Sequence, residues 1–202
     1  MNGVVSMYEF FFKRILDILI SSLALLILLP VIILLYISVK IDSTGPFLFK
    51  QIRIGKNLKK FKIYKIRTMT KAASIDANNK NLEYITTSHN DVRITRVGKY
   101  LRKFHLDEIP QFYNVIKGDM SLIGVRPDAP TQENDYSKLF WIKRHTLKPG
   151  ITGLSQIKSD INFNSYKRNK YDEFYIGCKN KFSMDLYIFI KTVVKLFRGS
   201  SF

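Results

Sequence analysis

An uncharged apolar run from Ile18 to Val39 sets the strongest limit on how this chain can fold. Written as a straight helix, its 22 residues would measure about 33 Å, enough to cross a hydrocarbon core of about 30 Å. The run is long for the apolar part of a secretory signal peptide, and no small-residue cleavage site follows it. The sequence therefore predicts a membrane segment rather than a cleaved signal peptide.

Pro30 lies near the middle of this segment, and basic residues flank both of its ends. A proline inside a helix removes a hydrogen bond and clashes with the preceding turn, so we expect a kink there. Lys13 and Arg14 precede the segment, and a basic series follows it, Lys40, Lys50, Arg53, Lys56, Lys59 and Lys60. Because basic flanks favour the cytoplasmic side, both ends are predicted to be cytoplasmic. Pro30 and the charges alone leave two paths open, a kinked helix that enters and leaves by one face and a straight span.

The formal charge of +17 indicates an anionic partner, which could be nucleic acid, anionic lipid or a phosphorylated substrate. Residues 1–39 carry no net charge, so the whole excess lies in residues 40–202. No nucleic-acid-binding motif is visible and the basic residues accompany a membrane segment, so we expect no nucleic acid partner. The single cysteine, Cys178, cannot form an internal disulfide. The three histidines, His89, His105 and His145, lack the spacing of metal ligands, which argues against a zinc site.

The rest of the chain is predicted to form an α+β, mostly helical domain. Alternating apolar and basic residues over Phe61–Met69 predict a strand, and residues 70–92 predict a mobile connection. Helices are predicted over residues 95–104, 136–147, 165–177 and 183–198, with loops at 122–130 and 148–153. The last helix has a wide apolar face and a narrow basic stripe of Lys191, Lys195 and Arg198. This pattern is typical of an amphipathic helix in a membrane interface, and a core helix of the soluble domain is the alternative.

The stretch from His105 to Pro127 opens with two adjacent carboxylates, Asp107 and Glu108. Pro110 suits a first helical turn, the apolar residues that follow recur at helical spacing, and Gly118 is a natural helix stop. These signals place both carboxylates at the amino-terminal mouth of a short amphipathic helix. Such a mouth attracts phosphate and favours the ionised form of a carboxylate. Acidic residues at a helix start are by themselves ordinary caps, so this pattern alone assigns no function.

Seven ordered blocks of residues give a more specific signal than the two carboxylates alone. They are Lys13–Asp17, Gln51–Gly55, Phe61–Met69, Asp107-Glu108 with Gln111 and Asn114, Gly118–Ser121, Gly124 with Arg126-Pro127, and Lys148–Gln156. Over residues 10–194 the sequence resembles the bacterial sugar transferase family, the monotopic phosphoglycosyl transferases. The resemblance favours the re-entrant path. It implies that residues 1–40 form a re-entrant membrane helix-break-helix kinked at Pro30, and that residues 41–202 form a small cytoplasmic catalytic domain. One departure is Leu29, where the family commonly has a serine whose hydroxyl could satisfy a backbone carbonyl freed at the break.

The resemblance also implies a reaction. The family transfers a sugar-1-phosphate from a nucleotide diphosphate sugar, usually a UDP-sugar, to a polyprenyl phosphate such as undecaprenyl phosphate, and so initiates a lipid-linked glycan. It implies that Asp107 is the nucleophile that attacks the phosphorus bearing the sugar, releases UMP and carries the phospho-sugar covalently. Mg²⁺ is the expected cofactor, held by Asp107 and Glu108, because a cation is needed where a carboxylate meets two phosphates. Glu108 would serve the metal or a proton transfer, and the sequence leaves this choice open.

Two arginines fit supporting roles in substrate binding. Arg102 is expected to reach the same pocket as Asp107. The pair Arg126-Pro127 resembles the family's Pro-Arg-Pro nucleotide site, with Val125 in place of the first proline. Arginine binds phosphate in a bidentate way that lysine does not, so both arginines are predicted substrate ligands.

Three further residues are predicted substrate ligands, each with an alternative. Lys65 and Arg67 lie on the predicted strand and would either bind phosphate or form a solvated face. Asp119 would either belong to the pocket or cap a turn. Where many family members have a Gly-Arg pair after the glutamine, this chain has Lys158-Ser159-Asp160, so the identity of the sugar is left open.

The predicted location is the bacterial inner (cytoplasmic) membrane, with the catalytic domain on the cytoplasmic face. The expected partners are a UDP-sugar, polyprenyl phosphate and anionic membrane lipids, whose head groups would contact part of the basic charge. Whether the chain forms a homo-oligomer stays open. The alternative to an enzyme is a catalytically inert basic scaffold anchored at the membrane, which would not need Asp107 and Glu108 within their surrounding motif.

Overall fold

The computed structural model describes residues 8–70, 91–159 and 164–197, and these residues form the predicted α+β, mainly helical architecture. The helices and strands are α1 Lys13–Asp42, β1 Leu48–Ile54, β2 Lys60–Ile66, α2 Arg96–Lys103, α3 Gln111–Lys117, β3 Ser121–Ile123, α4 Lys138–Arg144, β4 Gly150–Thr152, α5 Leu154–Ile157, α6 Ser165–Gly177 and α7 Lys181–Phe197. Turns of 3₁₀ helix lie at Lys56–Leu58, Leu106–Glu108 and Pro130–Asp135, and a turn of π-helix lies at Tyr8–Phe12.

Most predicted elements are present, with ends that differ by a few residues. The helix predicted over residues 165–177 is α6, with the same bounds. The helix predicted over residues 136–147 is shorter, because α4 ends at Arg144. Most of the connection predicted at 70–92 lies outside the described residues.

The membrane segment is one unbroken helix, α1, with Pro30 inside it. The helix runs through Pro30 without a gap, although the missing N–H removes one backbone hydrogen bond there, and the predicted kink at Pro30 stays a prediction. Among the described residues, α1 is the one helix long and apolar enough to cross a membrane, by length and composition. Its central side chains are exposed, including Leu26 at 69% and Leu34 at 64%. The re-entrant path through the membrane stays a prediction.

Both ends of α1 attach to the same folded domain. At the amino end, Arg14 donates a hydrogen bond to the carbonyl oxygen of Val115, in the last turn of α3, at 2.6 Å. At the carboxyl end, Val39 is buried and Asp42 accepts a hydrogen bond from the backbone N–H of Val97, in the first turn of α2, at 2.9 Å. The domain therefore holds α1 at two points that lie on either side of its exposed apolar middle.

A β-hairpin and α3 form the part of the domain that carries the site. β1 and β2 pair antiparallel, with Leu48 opposite Ile66. Asn114 of α3 is fully buried. Its side chain accepts a hydrogen bond from the N–H of Tyr64 at 3.0 Å and donates one to the carbonyl of Lys62 at 2.8 Å. These bonds satisfy backbone groups at the edge of β2, so they hold α3 and the turn before it against that strand.

Three glycines join the two segments that were predicted as loops. In place of loop structure, β3 begins one residue before the first segment and β4 lies within the second, and the two strands pair in parallel. A Cβ atom added at Gly150 would lie 2.1 Å from the nitrogen of Gly124, and one added at Gly153 would lie 2.0 Å from the oxygen of Gly124. The backbones touch where a side chain would have no room, which accounts for glycine at these positions and fixes the loop that follows β3.

The last helix, α7, has one side in the core and an apolar side exposed. Ile188 is fully buried in the core cluster, and Asp185 forms an ion pair with Lys13. Leu186 and Ile190 are about half exposed, at 47% and 51%. One side of α7 thus packs in the core, as the alternative of a core helix predicted. The other side is apolar and exposed, as a helix in a membrane interface requires. That interface stays a prediction, and Arg198 of the basic stripe lies outside the described residues.

Candidate active site

Asp107 and Glu108 lie on a single 3₁₀ turn between α2 and α3. His105 precedes this turn with a φ of 55°, in the left-handed region, and so ends the helical run of α2. Pro110 adjoins α3, where its missing N–H needs no partner. The two carboxylates therefore precede a short helix, as predicted. Neither of them caps it, because the start of α3 has no side-chain cap.

Asp107 is a buried carboxylate, 8% exposed, that accepts no hydrogen bond from another described residue. Burial raises its pKa to about 6; the Lys65 cation opposes this effect, the Glu108 charge adds to it, and Arg102 opposes it. The expectation that the helix mouth favours the ionised form is therefore wrong. Desolvation disfavours the charged carboxylate by more than the nearby cations favour it.

Glu108 has the opposite electrostatic setting from its neighbour. Burial alone would raise the pKa of Glu108, but Lys65 and Arg126 outweigh burial and hold that pKa well below its ordinary range. The Nζ atom of Lys65 lies 2.6 Å from Oε1 of Glu108. At neutral pH the turn thus carries one firmly ionised carboxylate and one that is close to its titration range.

A cleft beside this turn brings together four residues that the sequence predicted for the site, Lys65, Glu108, Arg126 and Pro127. Six polar residues that were given no role also line it, Arg53, Gln111, Asp128, Gln132, Gln156 and Arg168. Most of its charged groups are cations, which suits a phosphorylated ligand. Arg53, Gln111 and Gln156 lie in blocks that carry the family resemblance, so that signal could have identified them. Arg168 lies on α6, where the sequence offered no signal.

Arg126 combines a fixed backbone with an available side chain. Arg144 is fully buried and donates hydrogen bonds to the carbonyl of Arg126 at 2.7 Å and to the carboxylate of Asp128 at 2.6 Å. The N–H of Gly150 donates to the carbonyl of Val125 at 2.8 Å. The guanidinium of Arg126 has no hydrogen-bond partner or ion pair among the described residues. This arrangement suits an arginine that binds phosphate, because the position of such a side chain must be set before the phosphate arrives.

Arg102 lies in the last turn of α2, close to Asp107, as predicted. Its Nε atom donates a hydrogen bond to Oγ1 of Thr68 at 2.9 Å, which fixes the direction of the side chain. Asp107 does not line the cleft; it lies beside Glu108 on the same turn, within the field of Arg102. The structure thus confirms the neighbourhood of Arg102, and its role in substrate binding stays a prediction.

Two predicted substrate ligands lie away from the cleft. Arg67 is buried, 2% exposed, and donates hydrogen bonds to the backbone carbonyls of Ser43 and Thr44, just after α1. The substrate-binding prediction for Arg67 is therefore wrong, because those carbonyls occupy its guanidinium. Asp119 follows the carboxyl end of α3 and pairs with Lys117 at 2.9 Å. Of the two roles predicted for Asp119, a turn residue describes this position better than a residue of the pocket.

The two carboxylates predicted to hold a metal ion, Asp107 and Glu108, lie beside or in the cleft, and the other carboxylate that lines it, Asp128, is bonded to Arg144. The described part of the chain contains no group of three or more His, Cys, Asp or Glu side chains that could hold one. Mg²⁺ needs no such group, because it is commonly bound by one or two carboxylates and completes its shell with water and substrate phosphates. The donor set therefore fits Mg²⁺ together with a phosphorylated substrate.

Comparison with known proteins identifies the family of this chain. Residues 8–199 match the bacterial sugar transferase family. A Klebsiella pneumoniae protein named UDP-glucose:undecaprenyl-phosphate glucose-1-phosphate transferase is 39% identical over 208 residues, covering 100% of this chain and 42% of that protein. An Aeromonas hydrophila protein named UDP-N-acetylgalactosamine-undecaprenyl-phosphate N-acetylgalactosaminephosphotransferase is 37% identical, covering 94% of this chain and 44% of that protein. The exopolysaccharide production protein PSS of Rhizobium leguminosarum bv. phaseoli is 39% identical and is covered over 98% of its length. This chain thus spans less than half of the first two relatives, and it belongs to the bacterial sugar transferase family.

Proposed function

We propose that this chain transfers a sugar-1-phosphate from a UDP-sugar to a polyprenyl phosphate and so initiates a lipid-linked glycan. Two relatives carry names for such a transfer to undecaprenyl phosphate, and a third is named for exopolysaccharide production. The first two names give different sugars, glucose and N-acetylgalactosamine. The proposal therefore specifies the class of donor and leaves the sugar open.

The observation that carries this proposal is the buried carboxylate of Asp107, which accepts no hydrogen bond from another described residue and lies beside a cationic cleft. Buried polar groups in proteins are usually hydrogen-bonded, because an unsatisfied one destabilises the fold. Asp107 accepts no such bond from another described residue, while Lys65 and Arg102 lie close enough to favour its charged form. An inert scaffold would gain nothing from this arrangement. A nucleophile needs an accessible oxygen whose lone pairs are not already engaged.

The proposed reaction has two steps at one phosphorus atom. In the first, a carboxylate oxygen of Asp107 attacks the phosphorus that bears the sugar. The bond from this phosphorus to the bridging oxygen breaks, and UMP leaves with that oxygen. In the second, an oxygen of the polyprenyl phosphate attacks the same phosphorus and the bond to Asp107 breaks. The carboxylate is regenerated, and the product is the polyprenyl diphosphate sugar.

Neighbouring residues have distinct proposed roles in these steps. Arg126 and Lys65 would bind the donor phosphates through the cleft, and Arg102 would stabilise charge on the phosphoryl group near Asp107. Mg²⁺ is the proposed cofactor, held by Asp107 and Glu108, and when bound it neutralises phosphate charge. The Lys65 ion pair keeps Glu108 ionised, so that carboxylate can act as a metal ligand at neutral pH.

We also propose that α1 enters and leaves the bilayer by the cytoplasmic face of the inner membrane. The ends of a membrane-crossing helix lie on opposite sides of a core about 30 Å thick. One folded domain on one side could not then hold both Arg14 and Asp42, as this domain does. The exposed apolar side of α7 would lie in the interface, and nearby basic residues would contact anionic lipids.

The reaction is tested by incubating the detergent-solubilised chain with UDP-sugars, polyprenyl phosphate and Mg²⁺, and measuring UMP. We expect UMP release with at least one UDP-sugar, and loss of release in Asp107→Asn. Without polyprenyl phosphate, the peptide containing Asp107 should gain the mass of one sugar phosphate. Ping-pong kinetics should accompany that adduct. Sequential kinetics without an adduct would favour direct attack by the lipid, and absence of UMP release with every UDP-sugar would favour the scaffold.

The membrane path is tested with single cysteines at Asn2 and Lys56 in a Cys178→Ser background. Both positions should be shielded from an impermeant thiol reagent in intact cells and labelled after permeabilisation. Labelling of Asn2→Cys alone in intact cells would mean that α1 crosses the membrane.

A further inference from the structure

Gln111 is a buried polar residue in the first turn of α3 that has no partner in the described chain. It is 2% exposed and lines the cleft next to Glu108. No described residue makes a hydrogen bond to its carboxamide. A fold that keeps such a group at the wall of a cleft has an available hydrogen-bonding site for a ligand.

Asn114, three residues further along the same helix, provides an internal comparison. It is also buried, at 0% exposure, but its amide bonds to Tyr64 and Lys62 on β2. The two buried amides of α3 therefore differ in what they serve. Asn114 attaches the helix to the strand, whereas the side chain of Gln111 makes no hydrogen bond to another described residue.

The neighbours of Gln111 indicate which ligand group it meets. Residues three apart on a helical path lie on one side, which places Gln111 next to Glu108. Lys65 and Arg126 line the same cleft and have the chemistry of phosphate ligands. We propose that the carboxamide nitrogen of Gln111 donates a hydrogen bond to an oxygen of the phosphoryl group that is transferred. This inference rests on the proposed function, since it takes the donor to be a UDP-sugar.

A neutral donor at this position has a physical advantage over another cation. The cleft already contains several positive charges, and Lys65 and Arg126 lower the pKa of Glu108. An amide can donate an N–H hydrogen bond to the phosphoryl group that is transferred, and it does so without changing the net charge of the cleft. Donors fixed in advance stabilise developing charge more effectively than mobile solvent does.

The test compares Gln111→Met with wild type and with Asn114→Leu, using the full chain in detergent with Mg²⁺. Methionine keeps the length of glutamine and removes its hydrogen bonds. We expect Gln111→Met to melt at the same temperature as wild type or higher, while UDP binds about tenfold more weakly, as for the loss of one hydrogen bond to a charged group. UMP, which lacks the second phosphate, should bind within about twofold of wild type. UMP release from the UDP-sugar should fall by about the same tenfold factor. Asn114→Leu should melt at a lower temperature, because it removes satisfied hydrogen bonds.

Three results would overturn the inference. A melting temperature of Gln111→Met lowered as far as that of Asn114→Leu would make Gln111 structural. Equal affinities of Gln111→Met and wild type for UDP, or equal losses for UDP and UMP, would place the amide away from the transferred phosphate. Failure of the wild type itself to bind either nucleotide would overturn the proposed function and this inference with it.

Discussion

Asp107→Asn is predicted to abolish UMP release and at the same time to stabilise the folded protein at neutral pH. The substitution keeps the size of the side chain and removes its charge. In the proposed reaction the charge is the nucleophile, so turnover should be lost. In the fold the same charge is buried and accepts no hydrogen bond from another described residue, so its removal relieves a desolvated group.

The magnitude follows from the pKa of Asp107. Burial raises this pKa from its ordinary value of 3.8 to about 6. A carboxyl with a higher pKa in the folded than in the unfolded state binds its proton more tightly when folded. Its contribution to stability is therefore fully present below the unfolded value and is lost as the pH rises through the folded value. The difference of about two pKa units corresponds to about 3 kcal/mol at pH 7.5. For a chain of this length, that is a rise in melting temperature of about 6 °C or more.

The assay is thermal unfolding of the detergent-solubilised protein at pH 7.5 and at pH 4. Asp107→Asn should be more stable than wild type at pH 7.5 and close to it at pH 4, where the wild-type carboxyl is protonated. Asp128→Asn serves as the control, because the buried Asp128 carboxylate accepts a hydrogen bond from Arg144 and its loss should destabilise the fold. A lower melting temperature for Asp107→Asn at pH 7.5 would refute this reasoning, since it would mean that Asp107 makes a stabilising contact.

The geometry of the site also sets a pH response and the effects of three substitutions. UMP release should fall about tenfold per pH unit below about pH 6, as Asp107 becomes protonated. Lys65→Met should move the pH of this fall upward by about one pH unit, because the Lys65 cation favours the charged form of Asp107. If the pH of the fall is unchanged in the variant, the role of Lys65 is contradicted. Arg126→Lys keeps the charge but loses the planar guanidinium, so KM for the UDP-sugar should rise about tenfold, with the exposed Arg96→Lys as an unaffected control; wild-type kinetics in Arg126→Lys would remove it from the site. Arg67→Met should lower the melting temperature and leave KM unchanged, and the reverse pattern would restore Arg67 as a substrate ligand.

The predictions that the structure confirms rest on signals carried by adjacent residues. The apolar run defined α1, and the proline and glycine around the two carboxylates placed Asp107 and Glu108 before a short helix. Lys65 and Arg126, both predicted as substrate ligands, line one cleft with Glu108, and their role in binding stays a prediction. For Arg126 the family resemblance supplied that expectation, because no pattern of spacing relates residues so distant in the chain.

The predictions that failed depend on burial, which the sequence does not state. Arg67 has the same charge as Lys65 two residues earlier, yet one is buried against backbone carbonyls and the other faces the cleft. Arg144 follows Lys143 and looks like a surface residue in the sequence, but it is fully buried between Asp128 and Asp172. The ionisation of Asp107 was misjudged for the same reason, because desolvation is a property of the packed fold.

Arg67 helps to connect the membrane helix α1 to the part of the domain that carries Asp107. It holds the backbone that leaves α1, and next to it Asp42 caps the start of α2 at Val97. That helix has 8 residues, a length of about 12 Å, and its last turn carries Arg102 beside Asp107. In the proposed reaction the acceptor keeps its polyprenyl chain in the bilayer, so its phosphate reaches only a site close to the membrane surface. The short path from the end of α1 to Asp107 meets that requirement. In the proposed reaction, the attachment of α1 would place Asp107 near the lipid acceptor, and the cleft beside the carboxylate turn would bind the nucleotide sugar.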